Sequence, residues 1–271
     1  MTPRFLRETV FALLAVLLAG GCATPPRGLP QILPDREGRM KQGYLYYLDG
    51  AGGGTVKKNW SAGVRQGLLE AGYPGAGEMF SWETGLGLIA DQDASVRYKR
   101  TKARKLAREI QRQAAGYPAA PIDVLGFSAG TAVAVFALEA LPPGVKVQNV
   151  VLLGASLSEN YDLTKALQRV RGRVYLYTST RDPVLGILMP FSGTADRKFN
   201  DPGAGIRGFV LPAHASARTR KLYAEKLVAI PWSKTLESDG NFGRHFDNIK
   251  MKFIRDHVAP LFMAKPGHST N

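Results

Sequence analysis

Cysteine is almost absent from this chain. Of 271 residues only Cys22 is one, so no disulfide forms within a molecule and no metal centre of paired cysteines can be built. Histidine is scarce too: His214, His245, His257 and His268 are the only imidazoles available for chemistry. Acidic residues are the minority charge, 22 Asp and Glu against 36 Lys and Arg, for a formal net charge of +14. No internal repeat or low-complexity tract occurs, and a chain with 45% hydrophobic and 21% charged residues has the composition of one sizeable α/β core. Long apolar runs are missing as well. Val10 to Ala19 is about ten residues, where a spanning helix needs roughly 20.

That short run is preceded by Arg4 and Arg7 and followed by Leu18-Ala-Gly-Gly-Cys22, the pattern of a secretory signal. The segment resembles the lipobox of bacterial lipoproteins, with Ala19 where Leu is commoner. The resemblance implies cleavage before Cys22 and lipidation of its thiol, hence an envelope location with a lipid anchor in the membrane. Ala23, rather than Asp, follows the cysteine and favours the outer membrane where a cell has two. The expected organisation is a signal peptide over 1–21, an extended tether over 22–40 containing Pro25, Pro26, Pro30 and Pro34, a catalytic domain over 41–264 and a tail over 265–271.

Part of the positive charge is concentrated between positions 97 and 112, where Arg97, Lys99, Arg100, Lys102, Arg104, Lys105, Arg108 and Arg112 crowd together. Val96, Ala103, Leu106, Ala107 and Ile110 interleave at helical spacing, which predicts an amphipathic helix with a basic outer face. Such a face is solvated in the simplest reading, and anionic lipid or a cell-wall polymer is a physically reasonable partner. Nucleic acid is not expected: neither zinc-finger cysteine pairs nor an RNP-like aromatic strand accompanies the charge.

The chemistry is concentrated in Pro121-Ile-Asp-Val-Leu-Gly-Phe-Ser-Ala-Gly130. An apolar run of strand length, a Gly-x-Ser-x-Gly turn and an Ala-rich stretch from Thr131 to Leu141 read as strand, sharp turn and helix. Gly126 and Gly130 leave room where any side chain would collide, and Ser128 stands at the apex. The helix N-terminus favours negative charge on a substrate oxygen, with the Ala129 N–H as one donor. An aromatic strand over Gly43 to Asp49 runs into Gly50-Ala-Gly-Gly-Gly54, from which Ala51 or Gly52 would supply the second donor. That glycine loop is no dinucleotide or phosphate cradle. Thr55 takes the last Gly position of Gly-x-Gly-x-x-Gly, and no Gly-Lys-Ser/Thr follows.

A serine hydroxyl needs a base, and the base needs an orienting carboxylate. His245 lies in Asp239-Gly-Asn-Phe-Gly-Arg-His-Phe-Asp247, a polar loop between the predicted last strand, Leu227 to Trp232, and the last helix, Ile249 to Phe262. A parallel sheet delivers side chains to its C-terminal edge from such loops. His214 is the alternative base; His257 falls inside the last helix and His268 in the tail. For the acid, the strand Arg173 to Ser179 leads into Asp182, stiffened by Pro183, with Glu159 and Asp196 as rivals. Further strands are expected at Glu78 to Trp82 and Val147 to Ala155, with helices over Asn59 to Ala71 and Leu163 to Val170. Strands alternating with helices predict a mostly parallel sheet covered on both faces.

The order Ser128, Asp182, His245 resembles that of the α/β-hydrolase superfamily across the domain, and Thr178 to Gly186, Gly193 to Asp196 and Gly243-Arg-His245 resemble segments of envelope lipoproteins in it. Arg244 departs from the pattern, where such loops often carry Gly. The resemblance implies an α/β-hydrolase fold with little or no lid, since only about 17 residues separate Ala155 from Arg173. It implies hydrolysis of an acyl ester, thioester or amide without metal or organic cofactor. The apolar stretch Val184 to Phe191 is a candidate acyl-binding wall or a short buried helix. A hydrolase scaffold that binds envelope components without turnover is the alternative.

Overall fold

Five consecutive buried residues, Tyr44–Leu48, form the first strand, β1, in the interior of a sheet. The computed structural model describes residues 36–53 and 61–263. The signal segment, Cys22, the tether as far as residue 35 and the tail over 265–271 lie outside them. β2 spans Ala76–Met79, β3 Ile122–Phe127, β4 Val150–Leu153, β5 Val174–Thr178 and β6 Leu227–Pro231. They make one six-stranded sheet in the order β2-β1-β3-β4-β5-β6, every neighbouring pair parallel. This is the α/β architecture expected, and β3 and β4, buried at every position, are apolar apart from Asp123, as a doubly covered parallel sheet requires.

Strand periodicity divides the core into two layers. Tyr44, Tyr46, Leu48, Val124, Val150, Leu152 and Leu176 face one way, toward helices α4 (Val96–Gly116), α5 (Gly130–Ala140) and α6 (Thr164–Leu167). Leu45, Tyr47, Leu125, Phe127, Val151 and Leu153 face the other, toward α2 (Ser61–Glu70) and the C-terminal helical run of Met251–Phe253, Ile254–Val258 and Pro260–Met263. Helix α3 (Leu88–Asp93) precedes α4, and α7 (Ala217–Lys226) precedes β6. Among the described residues no helix is long and apolar enough to cross a membrane.

Several expectations shift. The strand predicted at Glu78 to Trp82 lies at Ala76–Met79. Phe80 still donates its N–H to Tyr47 O at 2.8 Å, but Trp82 then leaves the sheet to bury its indole, whose Nε1 donates to Asp49 O at 2.8 Å. The tether does not extend to residue 40: Arg36–Gln42 is a helix, α1, fastened by Arg39 Nη1 to Tyr73 O at 2.9 Å and by Arg36 Nη2 to Tyr44 Oη at 2.9 Å. The basic helix forms as expected, with one exception on its outer face. Lys99 is fully buried, its ammonium donating to Ala195 O at 3.2 Å and Gln92 O at 3.5 Å, because the connection between β5 and β6 folds over this turn. Burial lowers the Lys99 pKa to about 8.

The interval between β4 and β5 holds only the four-residue α6, as the absence of a lid there predicts. Residues 179–226 make the longest inter-strand connection, with a π-helical turn at Val184–Leu188, helical turns at Met189–Ser192 and Ala204–Arg207, and α7.

The close approach of the glycine loop to α5 gives a direct test. A Cβ at Gly130 would lie 2.4 Å from Asp49 O and 2.6 Å from Leu48 O, whereas one at Gly116 meets nothing within 4 Å. Gly130→Ala is expected to cost about 3 kcal/mol of folding stability and Gly116→Ala less than about 1, read by urea denaturation. Equal stability of the two variants contradicts the packing.

Candidate active site

In this strand order the chain reverses direction across the sheet between β1 and β3, so the loops after these two strands part and leave a crevice at their C-terminal ends. Ser128 follows β3 at that crevice. Its φ is +52°, a left-handed conformation that costs a non-glycine residue roughly 1–2 kcal/mol. The surroundings enforce it. Ser128 N–H donates to Leu153 O at 2.9 Å, and Ser128 O accepts from Thr131 N at 3.0 Å and Thr131 Oγ1 at 2.5 Å. Gly126 is needed because a Cβ there would sit 2.9 Å from Thr131 Cα.

The structure brings the three expected side chains into one hydrogen-bonded line. Ser128 Oγ lies 2.9 Å from His245 Nε2, and His245 Nδ1 lies 2.6 Å from Asp182 Oδ2. His245 and Asp182 are buried while Ser128 is partly exposed, so the line runs from the interior to the accessible hydroxyl. The imidazole is held on each side. Its ring packs on Phe127 at 4.9 Å, its backbone carbonyl accepts from Asn248 Nδ2 at 3.0 Å, and a Cβ at Gly154, where φ is +54°, would fall 3.0 Å from Cε1. Asp182 turns its other oxygen, Oδ1, to the N–H groups of Val184 at 2.9 Å and Leu185 at 3.1 Å.

The rival residues lie elsewhere. His257 Nε2 pairs with Asp239 Oδ2 at 2.7 Å and its ring stacks on Phe253, the helix-packing role expected. His214 is exposed in the loop before α7, and His268 is outside the described residues. Asp196 Oδ1 accepts from Ser158 N at 2.9 Å, and Glu159 follows β4 with its N–H on Pro202 O. Arg244 is exposed beside the base. Val184 to Phe191 is a π-helical turn and a short helix, with Leu185 and Met189 buried and Ile187 exposed.

One expected donor is corrected. Gly52 donates its N–H to Asp91 Oδ2 at 2.8 Å and is therefore not free for an oxyanion. The Gly53 N–H is also used, on Gly50 O at 3.0 Å. The N–H groups of Ala51 and Ala129 make no hydrogen bond among the described residues. The contact of Leu48 and Asp49 carbonyls with Gly130 sets the start of the glycine loop against the N-terminus of α5, which places both free donors at the same end of the sheet.

Sequence reading missed the groups that hold these loops. Asp91, buried, also accepts from Thr84 N and Thr84 Oγ1, each at 2.6 Å, and so ties the glycine loop to the connection after β2. Ser179 Oγ donates to Gly243 O at 2.7 Å and accepts from Arg181 N at 3.1 Å, joining the Asp182 turn to the His245 loop. Both contacts link residues distant in sequence, so no local pattern signals them. Glu83 completes the layer, its Oε2 accepting from Trp82 N and Ser81 Oγ at 2.9 Å while Oε1 is buried without a partner. Among the described residues no group of three or more His, Cys, Asp or Glu side chains is placed to hold a metal ion. An open cavity of about 670 Å³ lined by Arg36, Glu78, Arg112 and Gln113 lies at the β2 edge, apart from Ser128.

Burial, reinforced by the Asp49 and Asp91 charges, raises the Glu83 pKa from 4.5 to about 7. The folded state thus holds this proton more tightly than the unfolded chain. The stability it contributes is complete below pH 4.5 and is lost as pH rises through 7. Glu83→Gln is expected to remove that loss, so that its stability relative to the parent chain grows across the same window by about 2–3 kcal/mol in urea denaturation. Parallel pH profiles of the two proteins contradict the assignment.

No protein-family model and no curated protein matches this chain. Among solved structures it is similar in chain path to the acylaminoacyl peptidase of Pyrococcus horikoshii, at 12% identity and a TM-score of 0.46, over 83% of this chain. The chain spans 36% of that protein's length. It is also similar to RedJ, in a structure with a polyethylene glycol molecule bound in the active site, at 13% identity and a TM-score of 0.35, over 91% of this chain and 96% of that one. The agmatine ureohydrolase of Thermoplasma volcanium gives 12% identity and a TM-score of 0.30, over 88% and 98% of the two chains.

Proposed function

We propose that this protein is a serine hydrolase that cleaves an acyl ester through an acyl-enzyme intermediate, with thioester and amide as chemically related substrates. One observation carries the reading: the Ser128–His245–Asp182 line with contacts of 2.9 and 2.6 Å. His245 Nε2 takes the Ser128 proton as Oγ attacks the acyl carbonyl. Asp182 fixes the tautomer through Nδ1 and stabilises the imidazolium that forms. The Nε2 proton passes to the leaving alcohol, and water then attacks the acyl-enzyme with His245 again acting as base. The oxyanion is held by the N–H groups of Ala129 and Ala51, the first strengthened by the N-terminal end of α5. The left-handed Ser128 lifts the hydroxyl clear of the strand, and its strain is maintained by Thr131 and the two flanking glycines.

Envelope anchoring is part of the same proposal. It is supported by the Leu18-Ala-Gly-Gly-Cys22 pattern, with the thiol of Cys22 as acceptor of the lipid. The mature chain would then act at a membrane surface in the bacterial envelope.

Ser128→Ala is expected to abolish labelling by a fluorophosphonate probe and to lower kcat for p-nitrophenyl acetate by about 10⁴-fold or more, with His245→Ala comparable. Asp182→Asn should lower kcat by about 10³–10⁴-fold, and His214→Ala should leave it within about twofold. Persistence of labelling in Ser128→Ala, or loss of turnover in His214→Ala, contradicts the assignment.

A further inference from the structure

The exposed large apolar side chains of this protein are not scattered. Among the described residues, each follows the C-terminal end of a strand, on the edge of the sheet that carries Ser128. Leu86 and Ile89 lie in the connection after β2, with side chains 84% and 55% exposed. Neighbouring Leu88 packs on Gly52, where a Cβ would fall 3.0 Å from Leu88 Cβ, so this connection borders the glycine loop. Ile187 is in the turn that follows Asp182, and Phe242 precedes Gly243 in the loop that carries His245. Phe199 packs on Gly193, whose carbonyl accepts from Gln92 Nε2 at 3.4 Å, so the connection after β5 returns to α3. Val210 and Leu211 are tied to the connection after β4 by Val210 N–H on Glu159 O at 2.8 Å. Helices α2, α4, α5 and α7 hold none among the described residues.

Cations are interspersed on the same edge. Arg181, Lys198, Arg244 and Lys250 are exposed. Lys250 Nζ lies 5.4 Å from the Phe242 ring centroid, and the Arg197 guanidinium 5.3 Å from that of Phe199. Apolar groups collected on one edge of a protein are a sign of an interaction surface. Here they come from three separate connections, those after β2, β5 and β6, around one hydroxyl, with cations between them. A fluid anionic lipid surface meets both requirements: inserted side chains bury their apolar surface in it, and nearby cations meet its negative charge.

We infer that the edge carrying Ser128 docks onto an anionic phospholipid surface, and that the substrate is an amphiphile whose acyl ester lies at headgroup depth in that surface. The substrate half of this inference rests on the hydrolase reading; the docking half does not. Docking presents Ser128 to esters in the bilayer, while Leu86, Ile89 and Phe242 enter the headgroup layer and Arg244 and Lys198 meet lipid phosphates.

The test uses the full chain, hydrogen–deuterium exchange and vesicles of equal parts phosphatidylcholine and phosphatidylglycerol, with pure phosphatidylcholine vesicles and soluble heparin as comparisons. Slower exchange at residues 84–93, 184–199 and 240–244 on the mixed vesicles, with α7 unchanged, is expected. Protection confined to residues 1–35 or to α4, or equal protection by heparin, overturns the docking surface. In the kinetic arm, Leu86→Ser combined with Ile89→Ser should lower turnover of a vesicle-held p-nitrophenyl ester about tenfold or more and leave soluble p-nitrophenyl acetate unchanged. Arg218→Ser with Lys221→Ser on α7 should change neither. Equal rates for the apolar double variant and the parent chain on vesicles overturn the substrate assignment. Protection of the three segments without turnover of either ester rejects the hydrolase reading and leaves the docking surface; turnover of the soluble ester without protection does the reverse.

Discussion

The candidate site depends on a single imidazole being held between two partners that come from different loops. His245 reaches Ser128 after β3 and Asp182 after β5, and it can do so only if three connections meet at one edge of the sheet. A parallel sheet makes this possible, because every strand ends on the same side. The convergence is then fixed by hydrogen bonds that involve no reacting atom. Ser179 joins the acid's turn to the base's loop, Val184 and Leu185 N–H groups hold the free oxygen of Asp182, and Asn248 holds the carbonyl of His245. Buried polar groups tolerate few alternative partners, so each such bond narrows the position of the next.

The oxyanion side follows similar logic with a different material. Backbone N–H groups supply the donors, and the chain spends those it does not need. Gly52 is committed to Asp91 and Gly53 to Gly50, which leaves Ala51 facing the same end of the sheet as Ala129. Asp91 is thereby the counterpart of Ser179: a buried group that sets a loop rather than one that meets the substrate. The carboxylates Asp49, Glu83 and Asp91 under this loop are mutually repulsive, and burial drives one of them, Glu83, to hold its proton toward neutral pH.

The legibility of these features in the sequence follows their range. Ser128 was readable because its constraints are local: two glycines and a serine, with a strand before and a helix after, all lie within a score of residues. Asp182 and His245 were readable one step less directly, as residues in loops that must follow the strands of a parallel sheet. Choosing His245 over His214 needed only that topology, and the structure places His214 in solvent. Choosing between Ala51 and Gly52 needed a contact from Asp91, 39 residues beyond Gly52, and no pattern announces it. Lys99 was misplaced on the outer face for the same reason. Helical periodicity describes a helix in isolation, and the segment that buries Lys99 arrives from Ala195. The helix Arg36–Gln42 was hidden by the proline-rich chain preceding it and is held by arginine contacts to the sheet edge.

The measurement that bears most directly on the convergence of these loops is a crystal structure of the protein after reaction with a fluorophosphonate. Phosphorus bonded to Ser128 Oγ, with its phosphoryl oxygen about 2.7–3.1 Å from the N–H groups of both Ala129 and Ala51, is the predicted result. A phosphoryl oxygen directed away from both N–H groups, or phosphorus bonded to any other side chain, would contradict it.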